Sequence, residues 1–285
     1  MQTFNYEEAF SRNIGWLTRA EQETLRHQRV AIAGLGGVGG VHLLTLCRLG
    51  IGKFHLADFD TFDLANFNRQ AGATVGSIGQ PKLDVMTRQA LDINPGLEIT
   101  GFAGGVTGDN VDAFLDGVAL FIDGLDFFAF EARQKVFAAC AEKGIPAVTA
   151  APLGMGAALL NFLPGGMSFE DYFRLDDGGE AEKPVRLLMG LAPARLQMGY
   201  LADPSAVDFA NRKGPSTIMA CQLCAGAAAT EALKILLGRG PVRAAPKGYH
   251  FDAYRNRLAL TWRPGGNRNP LQRVLIALAK RKLGI

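Results

Sequence analysis

The run Gly34-Leu35-Gly36-Gly37-Val38-Gly39-Gly40 constrains this chain more than any other stretch. It contains the spacing G-x-G-x-x-G. It follows the apolar, β-rich run Arg29–Ala33 and opens Gly36–Leu49, which reads as a helix. A strand that ends in glycines and turns directly into a helix presents backbone N–H groups where phosphate oxygens bind. Asp58 ends the next predicted strand, Phe54–Asp58, 19 residues after Gly39. An acid at that place can hydrogen-bond a ribose hydroxyl. The pair predicts an adenine-nucleotide site.

The rest of the first half keeps the same rhythm. Helices are predicted over 81–93, 109–115 and 130–143, and strands over 97–102, 118–122 and 147–150. The strands are near-continuous apolar runs, as expected when both sheet faces are covered. Strands alternating with helices predict an α/β fold, a doubly wound, Rossmann-like and mostly parallel sheet with helices on both faces. A strand over 157–163, a long helix over 217–237, a hairpin of 249–253 and 258–262, and a basic terminal helix over 271–282 follow. They predict a C-terminal antiparallel strand extension. Four parts result: a helical arm over 1–28, a nucleotide-binding core over 29–164, an irregular insertion or lid over 165–214, and a C-terminal helix, hairpin and helix over 215–285 that complete the same domain.

The choice between a dinucleotide and ATP turns on two cations. Asn66-Phe67-Asn68-Arg69-Gln70 and Gln80-Pro81-Lys82 follow Asp58 and Asp60. A triphosphate attacked at its α-phosphorus needs cations that stabilise the transition state. Arg69 offers a planar fork and Lys82 a point charge. Asp123-Gly124-Leu125-Asp126 follows the fourth strand, outside whose carboxyl end a ligand sits. Asp126 is the expected Mg²⁺ ligand, and Asp123 the structural acid.

At these residues the chain resembles the ThiF/MoeB/HesA family, the bacterial relatives of ubiquitin-activating enzymes. The ordered match runs from Arg12 to Gly156 through GLGGVGG, D-F-D, N-F-N-R-Q, G-Q-P-K, I-N-P and D-G-L-D, with a weaker match at Glu231-Ala232-Leu233-Lys234. The resemblance implies an ATP-dependent adenylyltransferase that activates a carboxylate as its acyl-adenylate and releases pyrophosphate. The implied acceptor is the C-terminal glycine of a small ubiquitin-like or sulfur-carrier protein. Some relatives adenylate peptides or modified tRNA instead. The implied catalytic set is Arg69, Lys82, Asp126 and Arg12, the last inserted into the partner subunit's site of a homodimer. The implied nucleotide set is Gly34, Gly36, Gly37, Gly39, Asp58, Asp60, Asn66 and Gln70, with ATP and Mg²⁺ as cofactors.

Three departures narrow this. Phe127 stands where the family usually has asparagine. Zinc-bearing members carry two C-x-x-C pairs, and this chain has only Cys221-Gln222-Leu223-Cys224, so no zinc is expected. Those cysteines fall inside a predicted helix among Ala and Gly and read as small apolar residues. Phe169, Tyr172 and Phe173 of the insertion are candidates for the acceptor-binding surface. A nicotinamide- or flavin-dependent oxidoreductase shares the glycine loop and Asp58 but leaves Arg69 and Lys82 without a task. A non-catalytic partner subunit is the other alternative. A net charge of +3 makes no case for nucleic acid or membrane. Four cysteines and the absence of a signal-like N-terminus suggest the cytoplasm.

Overall fold

The structure is a computed structural model that describes residues 3–209 and 211–283, with side chains to Arg281; the ends of the 1–28 arm and the 271–282 helix fall partly outside the described residues. The arm folds as α1 (Tyr6–Ala9) and α2 (Arg19–His27). The core follows as β1 (Arg29–Ala33), α3 (Gly37–Leu49), β2 (Lys53–Ala57), α4 (Lys82–Ile93), β3 (Glu98–Phe102), α5 (Val111–Phe114), β4 (Leu120–Asp123), α6 (Phe130–Lys143) and β5 (Ala147–Leu153). Then come β6 (Gly156–Phe162), α7 (Phe169–Phe173), α8 (Lys183–Leu191), α9 (Ile218–Leu236), β7 (Lys247–Asp252), β8 (Arg257–Trp262) and α10 (Pro270–Leu283).

The strands form one sheet in the order β3-β2-β1-β4-β5-β6-β7-β8. The first five pair in parallel and the last three antiparallel. The order reverses between β1 and β4, so a crevice opens outside their carboxyl ends. One buried cluster lies on each sheet face. The inner strands are apolar because both faces are covered, and all four residues of β4 are buried.

Small residues decide how closely α9 can lie on the sheet. Its buried face is Ala220, Cys221, Cys224, Ala225, Ala228, Ala229 and Ala232, together with Glu231. The buried Glu231 accepts from Asn161 Nδ2 at 2.9 Å and is paired with Lys234. Length and composition alone would let α9 cross a membrane, yet it packs across β5, β6 and α3 as a core helix.

One sequence expectation needs correction, but not that of the N-terminal arm, which is helical and docked: Tyr6 donates to Gly50 O at 2.6 Å, and Asn13 and Gln22 donate to Leu49 O at 3.2 and 3.0 Å. These donors satisfy carbonyls left open at the carboxyl end of α3. The segment 165–214 is two structures rather than one irregular insertion. Its first half folds into α7 and α8, where Phe169, Tyr172 and Phe173 are 3%, 1% and 0% exposed. They pack with Phe137 and Phe162, so they are core and cannot present an acceptor surface. An apolar aromatic triad spaced for a helix gains more from burial than from exposure. Only the second half, from about residue 195 to 217, runs over the crevice end of the sheet.

Candidate active site

The crevice is closed from below by glycines. A Cβ on Gly39 would lie 1.7 Å from Gly34 O, and one on Gly34 would lie 2.2 Å from Gly124 O. Gly34 also has φ +84°, a conformation that favours glycine. The loop after β1 and the loop after β4 therefore touch backbone to backbone. Gly36 and Gly37 open the other way. A Cβ on Gly36 would meet the Gln70 amide at 3.5 Å, and one on Gly37 would meet Cys221 Sγ at 3.2 Å and the Arg69 stem at 3.5 Å.

One chain of hydrogen bonds runs outward from this loop. Asp58 Oδ2 accepts from Leu35 N at 2.6 Å and Asp58 Oδ1 from Asp60 N at 2.8 Å. Burial raises the Asp58 carboxyl above its ordinary range, and the two N–H donors oppose that shift. Asp60 in turn holds Lys82, Nζ to Oδ2 at 3.1 Å, with the lysine side chain 8% exposed. Arg69 Nη1 donates to Ala65 O and Asn68 Oδ1 at 3.1 and 2.9 Å. Asn66 Oδ1 caps its own turn through Asp63 N. Gln70 is buried, and its Oε1 has no hydrogen-bond partner among the described residues. A buried acceptor without a partner beside a glycine loop is an open valence for a ligand.

The fold thus brings Gly34, Gly36, Gly37, Gly39, Asp58, Asp60, Arg69, Gln70 and Lys82 together, while the Asn66 side chain is engaged within its own turn. Asp126 stands on the loop that Gly124 presses against the glycines. It is exposed, and its Oδ1 accepts from Phe128 N at 2.9 Å. Magnesium bound with a nucleotide needs only one or two carboxylates, because phosphates and water complete the shell. A lone exposed carboxylate at the switch point fits that need. No group of three or more His, Cys, Asp or Glu suited to a metal occurs among the described residues. Arg12 is the predicted site residue the chain does not bring in. It is exposed on the turn Ser11–Asn13, next to the carboxyl end of α3. The helix separates it from its own glycine loop by about 20 Å.

Asp123, expected as the structural acid, is buried and accepts from Thr149 Oγ1 and Arg133 Nε, both at 2.9 Å; sequence reading missed these two partners. Arg133 was seven residues past Asp126 in a helix pattern, and nothing marked it as facing inward. The contacts that fasten the covering segment, part of the expected insertion or lid, were missed as well. Phe209 stacks on Phe127 at 6.1 Å and meets Phe128 edge-on at 6.1 Å. Tyr200 donates to Asp252 Oδ2 at 2.6 Å and accepts from Met155 N at 2.8 Å. Thr217 Oγ1 donates to Gly154 O at 2.9 Å, and Asn68 Nδ2 donates to Ser216 O at 2.9 Å.

Cys221 is in the first turn of α9 against Gly37, nearer the nucleotide crevice than its helical neighbours suggested. Burial raises its thiol, with Ser216 and Arg69 opposing; burial raises Cys224 further. Both shifts disfavour the thiolate that a metal or an acyl group requires.

A family model described as the ThiF family matches residues 10–274. The tRNA threonylcarbamoyladenosine dehydratase of Bacillus subtilis (strain 168) is 35% identical over 150 residues, 52% of this chain and 57% of that protein. The sulfur carrier protein ThiS adenylyltransferase of Escherichia coli (strain K12) is 32% identical over 143 residues, 50% of this chain and 56% of that protein. The matched stretches therefore span a little over half the length of these relatives. The crystal structure of PaaA superposes with a TM-score of 0.69 at 17% identity, covering 92% of this chain and 74% of that one. That likeness concerns the fold.

Proposed function

Because the chain belongs to the ThiF family, we propose that it uses ATP to activate a carboxylate as its acyl-adenylate. The acceptor we favour is the C-terminal glycine of a small ubiquitin-like or sulfur-carrier protein, in the cytoplasm, with the enzyme working as a homodimer. One observation carries the reading: two cations stand at the glycine loop, Arg69 beside Gly37 and Lys82 linked to Leu35 through Asp60 and Asp58. A nicotinamide or flavin dinucleotide has no use for that pair of cations. A triphosphate does.

In this mechanism ATP lies across the glycine loop with its ribose at Asp58. A carboxylate is already ionised at neutral pH, so no general base is needed. A carboxylate oxygen bonds to the α-phosphorus as the bond to pyrophosphate breaks. Arg69 and Lys82 stabilise the charge that develops on the phosphates, and Asp126 would hold Mg²⁺, which supplies further positive charge there. Arg12 would serve the partner subunit's site, since its own lies a helix length away.

The test is ATP–pyrophosphate exchange with glycine-ended carrier proteins added one at a time. We expect exchange with one carrier, and a drop of about 10²-fold in Arg69→Ala and in Lys82→Ala. Normal exchange in both variants would sink the site assignment. A second reading places the acceptor carboxylate on a tRNA. The exposed cations Arg195, Arg212, Lys213, Arg255 and Arg257 on the covering segment and the β7–β8 turn favour it. Exchange that tRNA stimulates, and that salt suppresses steeply, would select it over the carrier.

A further inference from the structure

We propose that Arg133 is the positioning residue that fixes the Asp126 carboxylate at the crevice. The inference rests on the reading of Asp126 as the ligand of the Mg²⁺ that accompanies ATP. Arg133 stands in the first turns of α6 and is 4% exposed. Every hydrogen bond it makes goes to the loop after β4 or to the acid at that strand's end. Nε donates to Asp123 Oδ2 at 2.9 Å, Nη2 to the carbonyls of Leu125 and Asp126 at 2.9 and 3.0 Å, and Nη1 to Phe127 O at 3.3 Å. Three consecutive peptide carbonyls converge on one buried cation.

The anchor behind that cation is itself fixed. Asp123 Oδ2 also accepts from Thr149, and Asp123 Oδ1 accepts from Leu125 N at 3.1 Å. Asp126 takes no part in this net through its side chain. Its carboxylate stands at the solvent edge while its own carbonyl is gripped from inside. A metal ligand must be held to within about 0.5 Å of its working position. An exposed aspartate on an unbraced loop does not meet that condition, and the guanidinium supplies the brace.

The same bonds account for Phe127. Residue 127 is held by its carbonyl, so its side chain is released from any polar duty in the loop. Its ring instead stacks on Phe209 of the covering segment. A lysine cannot replace the guanidinium. One ammonium can pair with Asp123, but it cannot span three carbonyls in a fixed fork.

The experiment compares ATP affinity by calorimetry with Mg²⁺ and with EDTA, for the wild type, Arg133→Lys and Asp126→Asn, alongside the Tm of each. Partners that orient a metal ligand are worth about 10–100-fold in metal affinity. We expect Arg133→Lys to lose at least about tenfold of the Mg²⁺-dependent gain in ATP affinity. Its affinity in EDTA should stay near wild type, and Asp126→Asn should lose the same gain. Arg133→Gln, whose amide can donate to one carbonyl, serves if the lysine variant does not fold. A folded Arg133 variant that keeps the full Mg²⁺ gain, with only a lowered Tm, would reduce Arg133 to a structural ion-pair partner and overturn the proposal. Should Asp126→Asn keep the gain, the metal-ligand reading fails first and the Arg133 proposal falls with it; the two failures are thus told apart.

Discussion

The two ends of the crevice are built differently. The hydrogen bonds at the nucleotide end join partners close in sequence, Leu35 with Asp58, 23 residues apart, and Lys82 with Asp60, 22 apart, while the glycine loop packs on Gly124 and Cys221 from farther along the chain. The end under the covering segment is held by distant ones: Tyr200 with Asp252, 52 apart, Thr217 with Gly154, 63 apart, and Asn68 with Ser216, 148 apart. Backbone packing of glycines shapes the first. Side chains of a covering segment shape the second. On the proposed function, a backbone-packed cradle suits one invariant ligand, ATP, while a segment fastened at a few points suits an acceptor that must enter and leave.

If that contrast holds, a change at the nucleotide end should damage fold and ATP binding together. The largest effect belongs to Gly39→Ala, whose Cβ would meet backbone, not a yielding side chain. We expect a loss of at least about 3 kcal/mol, a Tm lower by about 5 °C or more, and no stabilisation by ATP. A wild-type Tm with intact ATP response would mean that the two loops do not meet as described.

Acid should act on the same end. His42, on α3 behind the glycine loop, is 1% exposed with both ring nitrogens unpartnered among the described residues. Burial pushes its pKa down to about 4, with Asp123 opposing. The folded state then keeps His42 neutral while the unfolded chain protonates it near pH 6.5. Its contribution is complete above that pH and is lost as pH falls toward 4, by up to about 3 kcal/mol. Burial shifts His55 and His250 in the same direction. Thermal melts from pH 7.5 to 4.5 should show a shallower acid limb for His42→Leu than for the wild type. Identical limbs would contradict the assignment.

How much of this was legible in the sequence follows from the same contrast. Glycine spacing, Asp58, Arg69 and Lys82 lie within about fifty residues, and strand-turn-helix patterning places them without knowledge of the rest. The alternation of apolar runs gave the parallel sheet for the same reason. Arg133 could not be read, because a buried arginine in a helix pattern looks like a solvated one until its strand partner Asp123 is located. Phe169, Tyr172 and Phe173 misled because aromatic residues in a Gly- and Asp-rich stretch suggest a surface, whereas a sheet face waiting to be covered lay elsewhere in the chain. The segment from 195 to 217 has no period of its own; its described residues form short turns at Leu196–Gly199 and Pro204–Ala206 and a bridge between Asp208 and Lys213, and distant side chains fasten them.

The smallest effect should sharpen the separation. Tyr200→Phe removes one hydrogen bond to the buried Asp252 and one from Met155 N, at a cost of about 2 kcal/mol. Trypsin should then cut faster at Arg212 and Lys213, while ATP affinity stays within about twofold of wild type. An equal fall in ATP affinity would erase the distinction between the two ends.

The most direct test of the central claim, that the β1–β4 crevice is an ATP site, is a thermal-shift titration with ATP and with NAD at matched concentrations. A ligand that binds the folded state raises Tm as its concentration passes Kd. The account predicts a rise with ATP that Lys82→Ala diminishes, and no rise with NAD. A rise with NAD and none with ATP would contradict it.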